Sequence, residues 1–202
     1  MLKKWCLVIA LMLLPAAAWG GAPTEALKKP VQEGIDLLRD PAYADASKKE
    51  AQRDRIWEII REAFDFRLIS ASALGRNWKR FSPEEQTEFT DVFTQLLGRT
   101  YISKIQGQYR DEQVVFTGED LVSDDKAVVQ TEIVRKDIRI PVDYYMRQKN
   151  NQWRVYDVKV EGVGLVLNYR RQFNTFMASD DTKPEALIQK LKDKLEKNEL
   201  GD

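Results

Sequence analysis

Between residues 153 and 177 the spacing of apolar positions changes from two to about 3.6. Trp153 to Val160 is rich in aromatic and β-branched residues and reads as a strand. Glu161-Gly162-Val163-Gly164 interrupts it, because glycine accepts backbone angles that other residues avoid. Beyond that corner Leu165, Val166, Tyr169, Phe173, Phe176 and Met177 share one helical face. The pattern predicts a strand at the corner of a curved sheet, turning into a helix packed across its opening.

The same patterns organise the rest of the chain. Thr24 to Arg39 reads as a first helix with a stripe of Val31, Ile35 and Leu38, its regular part starting at Pro30. Ser47-x-x-Glu50 has the form of a capping box opening a second helix, whose apolar face is Trp57, Ile60, Ala63 and Phe64. Asp65 caps a short third helix that stops at Gly75. Ser82-Pro83-Glu84-Glu85 starts a long helix running to about Gly107, with a wide apolar face from Phe89 to Ile105. From Gln113 the chain becomes β. Val114–Gly118, Ala127–Val134, Arg139–Arg147 and Trp153–Val160 form four strands, separated by turns at Ser123-Asp124-Asp125, Lys136-Asp137 and Lys149-Asn150-Asn151. Such short connections imply an antiparallel meander. Pro141 suggests an edge position or a bulge. Thr182-x-Pro184-Glu185 caps a last helix with Leu187, Ile188, Leu191 and Leu195 inward, and the tail from Glu196 to Asp202 frays. The expected fold is α+β: a cone-like four-stranded antiparallel sheet, with helices before and after it covering a concave apolar face.

The first residues change the picture of what folds. Lys3 and Lys4 precede an apolar run from Trp5 to Leu14, then Pro15 and small residues to Ala22. This is the layout of a secretory leader, and the run is shorter than the roughly 20 residues that a membrane span needs. Cleavage after Ala18, Gly20 or Ala22 fits, the later two better. We divide the chain into a cleaved signal peptide over residues 1–22 and a single domain over 23–202. An uncleaved anchor is the competing reading. Cys6, the only cysteine, leaves with the leader, and the chain has no histidine. The mature chain therefore has no disulfide, thiolate or imidazole chemistry, and Ser-His-Asp and Cys-His systems are excluded. The precursor carries 32 basic and 32 acidic residues. Near-neutrality argues against general nucleic-acid binding.

Among the acids, Asp157 stands out, between Tyr156 and Val158 on a partly buried strand, and Asp143 beside Tyr144 is a weaker case. An Asp base with a Tyr donor in an apolar pocket suits an enzyme enolising or dehydrating a small apolar substrate. The plainer alternative is that Asp157 hydrogen-bonds the corner or pairs with Arg154 or Lys159. Arg76, Arg80, Arg170 and Arg171 suit an anionic headgroup, or are ordinary surface charges.

The run W-R-V-Y-D-V-K-V-E-G-V-G-L-V-L-N-Y-R-R-Q-F from Trp153 resembles the signature of the MlaC/toluene-tolerance family of periplasmic phospholipid-binding proteins. Its usual form is W-x-V-x-D-V, then E-G-[VI]-S-L, then N-Y-R-x-x-F. The block from Ala73 to Phe93 is similar to that family's L-G-x-x-W … Q-x-x-x-F-x-x-x-F segment. Gly164 departs from the pattern, standing where the family usually has Ser, so no Ser role is carried across. The resemblance implies a cone of the nuclear-transport-factor (NTF2-like) type and a cavity holding acyl chains. It also implies a shuttle between an outer-membrane lipoprotein–porin complex and an inner-membrane ABC transporter with a lipid-binding subunit. The expectation is a monomeric periplasmic phospholipid carrier that maintains outer-membrane lipid asymmetry. It is not an enzyme, has no cofactor or metal, and carries phospholipid as cargo. The inward positions expected to hold lipid tails are Phe93, Leu97, Tyr101, Ile105, Val129, Ile133, Ile140, Val142, Tyr144, Val155, Val163, Val166, Tyr169 and Phe173. Ordinary core accounts for any one of them equally well, because periodicity marks only the inward face. Arg76 and Arg170 are the headgroup candidates. An enzyme on the same cone with Asp157 as base, and a periplasmic scaffold or chaperone with a filled core, remain the alternatives.

Overall fold

The computed structural model describes residues 21–197. The expected leader falls almost wholly outside them, as does the end of the charged tail. Six α-helices and five strands follow in order: α1 (Ala22–Arg39), α2 (Lys49–Ala63), α3 (Phe66–Leu74), α4 (Pro83–Gln108), β1 (Gln113–Ser123), β2 (Lys126–Arg135), β3 (Ile138–Lys149), β4 (Gln152–Val160), β5 (Val163–Gly164), α5 (Leu165–Phe176) and α6 (Pro184–Glu196). The fold is α+β, and the strands form one antiparallel sheet in the order β1-β2-β3-β4-β5.

The sheet has five strands rather than four. At the corner, Glu161 and Gly162 take positive φ values of 48° and 84°. That turn folds Val163 and Gly164 back onto Val160 and Lys159 before the helix starts. Other local expectations also shift. Helix α1 is regular from Ala22, with Pro30 inside it. Ser47 does not cap α2. Asp45 caps a 3-10 turn over Ala46–Lys48 and also accepts from the Ser47 hydroxyl, so α2 starts at Lys49 with no side-chain cap. The last helix starts after Lys183, also without a side-chain cap. Pro141 lies in an interior strand rather than at an edge or bulge. It pairs with Glu132 just beyond the last β3–β4 pair, and its carbonyl still accepts from Glu161 N–H at 3.0 Å. By contrast, Asp65 caps α3 through Leu68 N–H at 2.9 Å, and Ser82 and Glu85 form the reciprocal box that opens α4.

Apolar side chains gather in two cores. The helical core joins α3, α4, α5 and α6 around Phe89, Phe93 and Phe173. Phe93 meets Tyr169 at 4.8 Å and Phe173 at 5.2 Å between ring centroids, both edge-on. The smaller core lies on the sheet, where Leu27 of α1 packs against Val129, Met146 and Val155. One join between the two regions runs along the outer edge of β4. Phe64 forms a parallel bridge with Val155, and Asp65 N–H donates to Val155 C=O at 2.8 Å.

Candidate functional site

Antiparallel register decides which side chains share a face, since directly opposite residues point the same way. Four rows cross the face of the sheet that α1 covers. Leu121, Ala127, Met146 and Val155 make one row, and Glu119, Val129, Tyr144 and Val158 the next. Phe116, Thr131, Val142, Val160 and Val163 make the third, and Val114, Ile133 and Ile140 the fourth. The third row runs from buried to open. Val142 is 2% exposed, Val160 42% and Val163 67%. Ile133 and Ile140 are half-buried.

The open end of these rows lies where β1 starts and β2 ends, beside the C-terminus of α4. Polar links gather the elements there. Arg39 of α1 donates to the Tyr109 hydroxyl at 2.9 Å and pairs with Asp111 at 2.8 Å. Gln106 of α4 donates to Lys49 C=O at 3.1 Å and to Gln52 at 3.0 Å. Arg135 pairs with Glu112 at 3.6 Å. Large apolar side chains nonetheless stay exposed on the elements around this end: Tyr101, Ile105, Ile138, Val160, Val163 and Leu167.

The predicted lining is thus divided among three places. Phe93, Leu97, Val166, Tyr169 and Phe173 pack into the helical core. Val129 and Val155 are fully buried in the core under α1. Ile133, Ile140, Val142 and Tyr144 share the rows with those two and with Val163, while Tyr101, Ile105 and Val163, read from periodicity as inward, are exposed. Phe116, Val158 and Val160 share the rows but were not in the expected set, and neither was Thr131, although strand alternation puts it on the same face as Val129 and Ile133. A cleft of about 580 Å³ lies between α5 and α6, and only Tyr169 and Phe173 of the expected set border it.

Polar atoms on the rows are few and satisfied. The Thr131 hydroxyl donates to Val142 C=O at 3.1 Å. Burial pushes the Tyr144 phenol up to about 12, and a hydrogen bond with Thr131 offsets part of the rise. Tyr101 and Tyr169 share a hydrogen bond; the buried part of the Tyr101 ring raises its phenol, and deeper burial raises that of Tyr169. These groups stay neutral across the physiological range, so the rows carry no charge beyond Glu119 at their covered margin. The Glu119 carboxylate accepts from Thr24 of α1.

Asp157 takes another place. A bulge at Tyr156 sets Met146 opposite Val155 and Tyr145 opposite Asp157. Asp157 therefore points to the face opposite the apolar rows. Its Oδ1 accepts from Val166 N–H at 3.0 Å and from Val158 N–H at 2.8 Å. Burial raises its pKa, while the two backbone N–H groups and Arg170 pull it back. Gly164, the N-cap of α5, supplies no side-chain bond, and Asp157 supplies the missing acceptor from β4. Arg170 donates to Ser72 C=O at 2.8 Å and lies against Gly75, while the neighbouring Arg76 is exposed. Arg80 is structural: its guanidinium donates to the carbonyls of Met177, Ser179, Asp180 and Thr182. Among the described residues, no group of three or more Asp and Glu side chains is placed to hold a metal ion.

Residues 28–193 match the family model described as MlaC protein. No curated protein matches the chain. Among solved structures, the fold is similar to a phospholipid-binding protein from Ralstonia solanacearum, determined in complex with a phospholipid. The two share 23% identity and a TM-score of 0.72, over 85% of this chain and 95% of that one.

Proposed function

Because the chain belongs to the MlaC family, we propose that it is a periplasmic phospholipid carrier that hides acyl chains against the rows of its sheet. It is exported with removal of its leader and works as a monomeric cone of the NTF2 type, without catalysis. It carries lipid between an outer-membrane lipoprotein–porin complex and an inner-membrane ABC transporter, and so maintains outer-membrane lipid asymmetry. The observation that carries this reading is the third row, which passes in register from fully buried Val142 to exposed Val160 and Val163. An apolar surface that continues from interior to solvent suits a ligand that is part buried and part wet.

The energetics favour such a surface. A phospholipid with about 30 tail methylenes, at about 0.8 kcal/mol each, costs on the order of 24 kcal/mol to expose to water. A carrier must cover nearly all of them with apolar atoms. Ile133, Ile140, Val142 and Tyr144 supply that contact, with Tyr101, Ile105 and Val163 at the mouth. Of the two headgroup candidates, Arg76 is exposed at the C-terminal end of α3 and free to serve the headgroup, whereas Arg170 is held by Ser72 C=O beside Asp157. The placement of Asp157 favours the carrier over an enzyme, since its carboxylate faces away from the rows and caps α5. The Ralstonia solanacearum protein of like fold, solved with a phospholipid, adds support.

Native mass spectrometry of the mature protein, purified from the periplasm, tests the proposal. The expected spectrum holds a mass excess that dissociates as a diacyl phospholipid. A clean apo mass that persists after incubation with phospholipid vesicles overturns it.

A further inference from the structure

Helix α1 has an unusual start. Its N-cap is Gly21, which has no side chain to satisfy the first turn, and Pro23 brings no N–H. The acceptor comes instead from β1. Glu119 Oε2 accepts from Thr24 N–H at 2.8 Å and from the Thr24 hydroxyl at 2.5 Å. The same carboxylate presses against Gly21. A Cβ built on Gly21 would lie 1.8 Å from Glu119 Oε1. The φ of −62° is open to any residue, so close approach is what requires glycine here. The Gly21 nitrogen is bonded to that same Cα, which places it beside the carboxylate, within a small side-chain rotation of an ion pair.

In the sequence, Ala18-Trp19-Gly20 gives small residues at the two positions that leader cleavage reads, immediately before Gly21. We propose that the leader is cut between Gly20 and Gly21, and that the new α-ammonium of Gly21 pairs with Glu119 to complete the start of α1. This rests on the reading that the leader is removed. Hydrolysis of the Gly20–Gly21 amide gives a carboxylate on the leader and an amine on Gly21, protonated near neutral pH. A cut after Ala22 would delete the Gly21 carbonyl that accepts from Glu25 N–H at 3.1 Å. A cut after Ala18 would leave a neutral amide at Gly21. An ammonium at a helix N-terminus opposes the helix dipole, whereas a carboxylate there complements it. Glu119 thus turns an unfavourable charge into a favourable one.

The test starts with the N-terminus and intact mass of protein exported from the full chain. The expected N-terminal residue is Gly21. Next, unfolding is compared between chains starting at Gly21 and at Ala18, each with Glu119 and with Glu119→Gln. With Glu119, the Gly21 chain should melt about 2–4 °C higher at pH 6.5. The pair raises the amine's pKa, so this advantage is full below the ordinary value of about 7.7 and is lost as pH rises through the folded value. With Glu119→Gln the advantage should vanish or reverse. The glutamine still offers Thr24 an acceptor, so the fold persists. An N-terminus at Trp19 or Pro23 overturns the assigned bond. An advantage of equal size in Glu119→Gln overturns the ion pair. A full-length mass shows instead that the leader is not removed, which overturns the premise as well.

Discussion

At Asp157 one carboxylate oxygen does the work that a Ser at position 164 would otherwise do for α5. Asp157→Ala leaves Val166 N–H without its acceptor and should cost about 1–2 kcal/mol, measured by denaturant unfolding. Asp157→Asn keeps an acceptor and removes a charge. Burial holds the folded pKa of Asp157 above the ordinary value. The proton it retains stabilises the fold fully below about pH 4, and this stability is lost as pH rises through the folded value. The stability of Asp157→Asn relative to the parent should therefore climb over that window and then level off. A difference that falls with pH would mean that attraction to Arg170 outweighs burial. An enzyme with Asp157 as base predicts something else, loss of turnover with unchanged stability. Residue chemistry at this position was only half legible in the sequence. The hydrogen bond to the corner was one of the roles open to a lone strand acid beside glycines, along with a pair to Arg154 or Lys159 and a catalytic base. The direction of the side chain did not, because plain alternation from Trp153 through Val155 puts Asp157 inward and the bulge at Tyr156 turns it outward.

At the scale of elements, a single guanidinium holds the loop between α5 and α6. Arg80→Ala leaves the carbonyls of Met177, Ser179, Asp180 and Thr182 without their shared donor and should cost about 2–3 kcal/mol. Arg80→Lys should recover little of this, because an ammonium cannot fork to carbonyls so widely spread. Hydrogen exchange of the α6 amides measures the effect, and unchanged protection would rule out the clamp. The sheet offers a test of the rows. Val142→Trp projects a large ring from their buried part, at a packing cost of about 1–3 kcal/mol. The variant should fold and lose lipid in native mass spectra. Tyr145→Trp, on the opposite face, should keep it. Equal lipid content in the two variants would place the tails elsewhere. Helix and strand positions were readable from periodicity and from the Ser82 box. The two-residue fifth strand was not, since Val163 and Gly164 owe their pairing to a turn made by neighbouring residues rather than to any pattern of their own.

In the whole molecule, a helical core and a sheet core meet along the β4 edge, with polar links at the far end of α4. A lipid lying on the rows would bind only the folded state and so stabilise it by mass action. At a free lipid concentration of about 100 times Kd, delipidation should lower Tm by roughly 5–10 °C. Equal melting of loaded and delipidated protein would argue that no tail is held inside. The sequence by itself determined the order of the six helices and four long strands, the antiparallel meander, the absence of histidine and, beyond Cys6, of cysteine chemistry, and the family signature. Each of these is written in local spacing, turn residues or composition, which a folded environment does not alter. Only the tertiary structure decided which apolar faces close on one another. It sent Phe93, Leu97 and Phe173 into a packed core, left Tyr101, Ile105 and Val163 exposed, and aligned Thr131 with Val142 and Val160. Periodicity tells a side chain which way to point within its own element. What it then meets depends on register, and register depends on bulges that shift the pairing by one residue without marking the apolar pattern.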